Sequence, residues 1–144
     1  MAKRATQKNS WYRKDKKANP RKYRLKNIFN TIERREERKL SEEERDYLER
    51  EFDCQLGEAC RYCLTELTFK TISCDHKTPI SRGGNKDVYN LQFICLSCNM
   101  LKGNLTGEEF TELTAFLNKH ENIKKIVSQR LKMSGIVFAH RGKK

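Results

Sequence analysis

Two Cys-x-x-Cys pairs, Cys60 with Cys63 and Cys95 with Cys98, stand 31 residues apart in a chain of 144. A two-residue spacer suits a tight knuckle, and two knuckles together offer the four thiolates of a tetrahedral zinc site. Four identical soft ligands leave no open position, so the expected zinc is structural. The separation exceeds the roughly 15–20 residues of a compact ribbon, so an insert sits between the knuckles. Buried free thiols are the competing reading of the four. Cys54 and Cys74 fall outside the pairs and read as core residues, and a redox dithiol would need only one pair.

Charge narrows the partner. Lys and Arg number 31 against 19 Asp and Glu, a formal net charge of +12. A polyanion fits, because each neutralised phosphate releases condensed counterions. Nucleic acid leads, an anionic membrane surface comes second, and charge held for solubility is the bland alternative. With 36% apolar residues, a large self-sufficient core is not expected, and a metal would supplement it. No apolar run exceeds four or five residues, against the roughly 18 of a membrane span, so a transmembrane protein is not expected, and DNA is the expected partner in place of a membrane. The basic amino terminus has no apolar stretch behind it, which reads as no secretory signal. A reducing cytoplasm is therefore the expected compartment.

The charge is unevenly distributed. Residues 1–27 carry eleven Lys or Arg against Asp15 alone, with Trp11, Tyr12 and Tyr23 interleaved and Pro20 interrupting, and read as a flexible basic arm. Residues 28–58 reverse the balance with eleven acids and six bases, a charged helical segment of two solvated helices. Ser41 and Glu44 have capping-box spacing at the start of the second, and Tyr47, Leu48 and Phe52 form its apolar stripe. Residues 59–106 hold the cysteine pairs and form the core, with strands expected over Thr68–Cys74 and Leu91–Cys95. Residues 107–144 hold C-terminal helices and a basic tail. Thr106 and Glu109 cap a helix from Gly107 to Lys119; Ile123, Ile126, Val127 and Leu131 outline another, ending near Gly135.

The insert carries the chemistry. Asp75 and His76 end a strand, where neighbouring side chains point to opposite faces, so one can meet a metal while the other meets a water. Asn99 sits where the second knuckle opens into a helix, near enough in a hairpin-plus-helix to face Asp75. One anionic and one amide oxygen suit a hard cation, Mg2+ or Mn2+, with open water positions. Gly83 and Gly84 would let the loop approach a phosphate backbone closely. Arg82 and Lys102 are candidate phosphate contacts, surface charge being the alternative.

Cys60-x-x-Cys63, Asp75-His76 with Pro79 and Gly83-Gly84, Asn90, and Cys95-x-x-Cys98-Asn99 with Lys102 occur in order and at compatible spacing over about residues 59–104. This series resembles the HNH endonucleases of the ββα-metal (His-Me finger) fold, in their four-cysteine zinc subtype. The resemblance implies an α+β, mostly helical chain: a strand, loop, strand and helix around one catalytic divalent ion, with a four-cysteine structural zinc fastening the ends and charged helices and basic tails flanking the core. It implies His76 as general base, Asp75 and Asn99 as ligands of the catalytic ion, and Asn90 as the residue fixing the loop that orients His76. The name-giving third position is Asn99 in place of His, a change that bears on affinity for zinc or nickel there.

The function expected is metal-dependent hydrolysis of DNA phosphodiester bonds, leaving 5′-phosphate and 3′-hydroxyl ends. Small basic members of this kind resemble phage and mobile-element proteins of a bacterial host, active in packaging with a larger machine such as a terminase, or in homing. Charge and cysteines alone fit a non-catalytic zinc-ribbon module or subunit equally well, but that reading gives Asp75, His76, Asn90 and Asn99 no joint role.

Overall fold

A computed structural model describes residues 12–133. The chain divides into two units between Asp53 and Cys54. Among the described residues no helix is long and apolar enough to cross a membrane.

The first unit is helical. Residues 12–18 form a helical stretch, α1 spans Pro20–Glu36 and α2 spans Glu42–Gln55. Pro20 begins α1 instead of interrupting it, because proline's fixed φ and missing N–H suit a first turn whose amides have no intrahelical partner. The boundary read at residue 27 therefore falls inside a helix, and helix also precedes it; residues 1–11 of the arm lie outside the described residues. Ser41 and Glu44 form the expected capping box: the Glu44 N–H donates to Ser41 Oγ at 3.2 Å and the Ser41 N–H to Glu44 Oε2 at 2.8 Å. Arg21 reaches both Glu49 and Asp53, each at 2.6 Å, so α1 and α2 run antiparallel. Tyr23, Leu25, Ile28, Ile32, Leu40, Leu48 and Phe52 are buried.

Not all the acids of this unit lie on a solvated face, as the charge pattern suggested. Glu33 and Glu36 are buried. Glu33 accepts from the Leu40 N–H, Lys39 Nζ and Arg45; Glu36 accepts from Arg38, which also grips Glu44 at 2.8 Å. The turn between α1 and α2 is thus closed by paired carboxylates, which lowers the cost of burying them.

The second unit is built on an antiparallel hairpin, β1 (Ile72–His76) and β2 (Leu91–Cys95), with Asp75 opposite Gln92 and His76 opposite Leu91. β1 starts later than expected because Thr68 and Thr71 fold into a turn: the Thr68 N–H donates to Thr71 Oγ1, and the Thr71 and Ile72 N–H groups return to the Thr68 carbonyl. Every residue of β2 is buried. Helix α3 (Leu96–Lys102) follows β2 directly; α4 (Gly107–Lys119) has the expected Thr106–Glu109 capping box, and α5 spans Glu121–Met133. Tyr62 packs edge-on against Phe110, centroids 4.7 Å apart, joining the first knuckle to α4. Ile123 and Ile126 are exposed; Gly135 and the basic tail lie outside the described residues. The result is a mostly helical α+β chain whose only sheet among the described residues has two strands.

Candidate metal centre and active site

The two knuckles converge. The sulfurs of Cys60, Cys63, Cys95 and Cys98 all lie within 4.8 Å of one another, with three of the residues buried and Cys63 exposed. In the first knuckle the Leu64 N–H turns back to the Cys60 carbonyl at 2.8 Å, with Leu64 in the left-handed region (φ 62°). In the second, Cys95 ends β2 and caps α3, its sulfur accepting the Cys98 N–H at 3.3 Å. The Cys95 N–H points to Cys60 Sγ at 3.4 Å. Zinc–sulfur bonds of about 2.3 Å in a tetrahedron imply sulfur pairs roughly 3.8 Å apart, so the cluster fits zinc. Its electrostatics point the same way. Hydrogen bonds from Cys95 and Cys98 hold the Cys60 thiol far below its ordinary range, while donation to Cys60 pushes Cys98 far up and Cys95 up to about 12. Without a cation the cluster favours the thiolate at Cys60 and suppresses those at Cys95 and Cys98; a dication reverses that balance. Cys54 and Cys74, read as core cysteines, are exposed and half-buried respectively.

The second cysteine knuckle leads directly into α3, and α3 covers one face of β1. Ser73 and Asp75 share that face by strand alternation. Asn99 donates through Nδ2 to Ser73 Oγ at 2.7 Å and to the Cys74 carbonyl at 3.1 Å. One turn later Lys102 meets Asp75 Oδ2 at 2.9 Å and donates to the His76 carbonyl at 2.8 Å. The contacts of Asp75 run through Oδ2 and those of Asn99 through Nδ2, so Asp75 Oδ1 and Asn99 Oδ1 have no hydrogen-bond partner among the described residues. One carboxylate and one amide oxygen on the same side of the hairpin form a donor set that fits a hard divalent ion. His76 alternates to the other face of β1.

Asn90 clamps the loop between the strands. Its Oδ1 accepts the Thr78 N–H at 3.0 Å, and its Nδ2 donates to the carbonyls of Thr78 and Asn85, both at 2.9 Å. The Lys77 N–H donates to the Asn90 carbonyl at 2.6 Å. The residues just after His76 are therefore tied to the start of β2.

One sequence reading needs correction, and two others gain partners or constraints within the protein. Lys102 is not a displayed phosphate contact: it is 1% exposed and engaged with Asp75 and His76. Arg82 is exposed but forked onto Glu109, at 2.9 Å through one of its two contacts, and holds that carboxyl down at about 2. Gly83 and Gly84 answer to the protein's own backbone. Gly83 has φ 87°, and a Cβ on Gly84 would collide with the Thr78 carbonyl.

Gln92 carries no sequence signal of its own. It is buried, donates to Asp75 Oδ2 at 3.2 Å and accepts from Tyr62 Oη at 3.3 Å and Arg61 at 3.4 Å. It joins the first cysteine knuckle to the Asp75 carboxylate. Its role depends on lying opposite Asp75 in the hairpin register, which β2's continuously apolar surroundings do not fix.

Residues 60–105 match the HNH endonuclease family model. The HNH segment spans both knuckles, the hairpin and α3, about a third of the chain. No curated protein matches the chain. An HNH domain indicates a nuclease-type or nucleic-acid-binding function, with DNA as the implied substrate, and the four-cysteine cluster is compatible with the zinc subtype.

Proposed function

We propose that the protein is a metal-dependent DNA endonuclease whose active centre is the Asp75–His76 end of β1 with Asn99 of α3. The observation that supports this reading is the pair of oxygens, Asp75 Oδ1 and Asn99 Oδ1, left without a partner among the described residues beside a strand end whose next residue is a histidine. A non-catalytic zinc ribbon has no need of that combination.

In this reading His76 takes a proton from the attacking water. Asn90 holds the following loop, so the imidazole is presented from a fixed backbone. Asp75 and Asn99 would hold Mg2+ or Mn2+, which when bound supplies Lewis-acid stabilisation of the crowded phosphorus and the departing oxygen. The four cysteines would hold a structural zinc that fixes α3 and therefore Asn99. The products expected in this reading carry 5′-phosphate and 3′-hydroxyl ends. One such site cuts one strand.

The biological settings proposed are phage DNA packaging or homing. Co-purification with a terminase would favour the first and a mapped cleavage site the second. The biochemical test is supercoiled plasmid incubated with the zinc-loaded protein in Mg2+ or Mn2+, followed for nicked and linear products. Plasmid and single-stranded DNA left uncut in Mg2+, Mn2+ and Ni2+, with zinc intact, would make the protein a binding module instead.

A further inference from the structure

Lysine is rarely buried, because an ammonium removed from water is costly unless it is paired and hydrogen-bonded. The Lys102 side chain is fully buried at the last position of α3, with Nζ 2.9 Å from Asp75 Oδ2 and 2.8 Å from the His76 carbonyl. It touches both residues of the strand end by side chain or backbone, and it shares a helix face with Asn99, three residues before it. Gln92 shares Asp75 Oδ2 with it. Two donors on one oxygen hold the carboxylate in place and leave Oδ1 without a hydrogen-bond partner among the described residues.

Building on the nuclease reading, we infer that Lys102 is a positioning residue: an internal counter-cation that holds Asp75 through one oxygen, keeps the site formed before any divalent ion arrives, and weakens the hold on that ion. The reason is electrostatic. Without a countercharge the largely buried Asp75 carboxylate would have only the neutral Gln92 amide to offset its charge, so the hairpin end would depend on metal to be stable. With Lys102 the pair is neutral and folds without the ion. The same fixed positive charge then repels a dication arriving at Oδ1. At the effective dielectric of about 20 that describes partly buried charges, a unit charge a few ångströms from a divalent ion changes its affinity by well over tenfold.

The test measures ion binding, not cleavage. Mn2+ is titrated into the zinc-loaded full chain by electron paramagnetic resonance, and the relevant site is the one that Asp75→Asn abolishes. Lys102→Met, or Lys102→Gln where the first loses cooperative melting, is expected to bind Mn2+ at least tenfold more tightly than wild type. A merely structural lysine predicts the opposite, because damage to the site loosens binding. Unchanged or weaker Mn2+ binding in a folded neutral variant overturns the inference while leaving the nuclease reading intact. Wild-type protein with no Mn2+ site dependent on Asp75 overturns both. A second measurement needs no variant: the 15Nζ resonance of Lys102 in wild-type protein should shift on Mg2+ titration and saturate, and a resonance that stays still refutes the counter-cation role.

Discussion

Cys95 ends β2, and its sulfur accepts the amide of Cys98 inside the first turn of α3. A metal-binding knuckle and a helix cap are therefore the same four residues. Holding Cys95 and Cys98 fixes the direction of α3, and α3 brings Asn99 and Lys102 to β1.

The first prediction follows from that coupling. Metal analysis should find one tightly held zinc per chain. Stripping it with a strong chelator, or Cys95→Ser, should abolish cooperative melting as well as activity, because binding and folding share the knuckle. Zinc loading should also release protons, which a pH indicator can count, since the metal-free cluster holds thiols protonated at Cys95 and Cys98. A well-folded, zinc-free protein with four reactive thiols would contradict it.

Gly83 and Gly84 should respond differently to alanine. At Gly83 nothing lies within 4 Å of an added Cβ, so the cost is only the positive φ of 87°, about 1 kcal/mol. At Gly84 the new methyl would meet the carbonyl oxygens of Thr78 and Pro79, and the loop that Asn90 clamps must move. Gly84→Ala should therefore lose the hydrogen-exchange protection of the Thr78 amide, which Gly83→Ala retains. Equal protection in both would show that the close approach is not tight.

How much of this was legible in sequence depends on range. The capping boxes at Ser41 and Thr106, the α4 bounds, and the convergence of the two cysteine pairs rest on short spacings and fixed ligand chemistry, and they read directly. Lys102 and Arg82 did not. A lysine beside a cysteine knuckle reads as surface charge until the strand that buries it is known, and the Arg82–Glu109 pair joins residues that only the folded loop brings together. Pro20 is ambiguous for a different reason, since a proline in a basic run signals a break and a helix start equally well. Gln92 needed the hairpin register.

The Arg82–Glu109 pair gives a pH prediction with a definite sign. Arg82, with help from the Thr106 backbone, holds the Glu109 carboxyl at about 2, below the ordinary 4.5. A depressed carboxylate stabilises the fold above its unfolded pKa and loses that contribution as pH falls through the folded one. Wild type should therefore melt above Glu109→Gln at neutral pH, and the gap should close between roughly pH 4.5 and 2. Both share the same four-cysteine cluster, so any acid loss of metal from it cancels in the difference. A gap that persists at pH 2 would mean that the side chain stabilises by packing instead.

The last prediction separates base from ligand. His76→Ala removes the proposed base while leaving the Asn99, Lys102 and Gln92 contacts around Asp75 intact. DNA and zinc should still bind, and cleavage should fall by roughly the 100- to 10,000-fold typical of losing a general base. Asp75→Ala acts differently: it removes a proposed ligand and strands the buried Lys102 ammonium. Its activity should recover in part at high Mn2+, whereas that of the His76 variant should not, because added ion replaces lost affinity but not a proton acceptor. The Asp75 variant should also be destabilised by roughly 3–5 kcal/mol, the cost of an uncompensated buried charge, and Asp75→Ala combined with Lys102→Met should regain much of that stability. Products of the wild-type reaction should reseal with DNA ligase. Manganese rescue of His76→Ala, or nicks that ligase cannot close, would reassign the roles of the two residues.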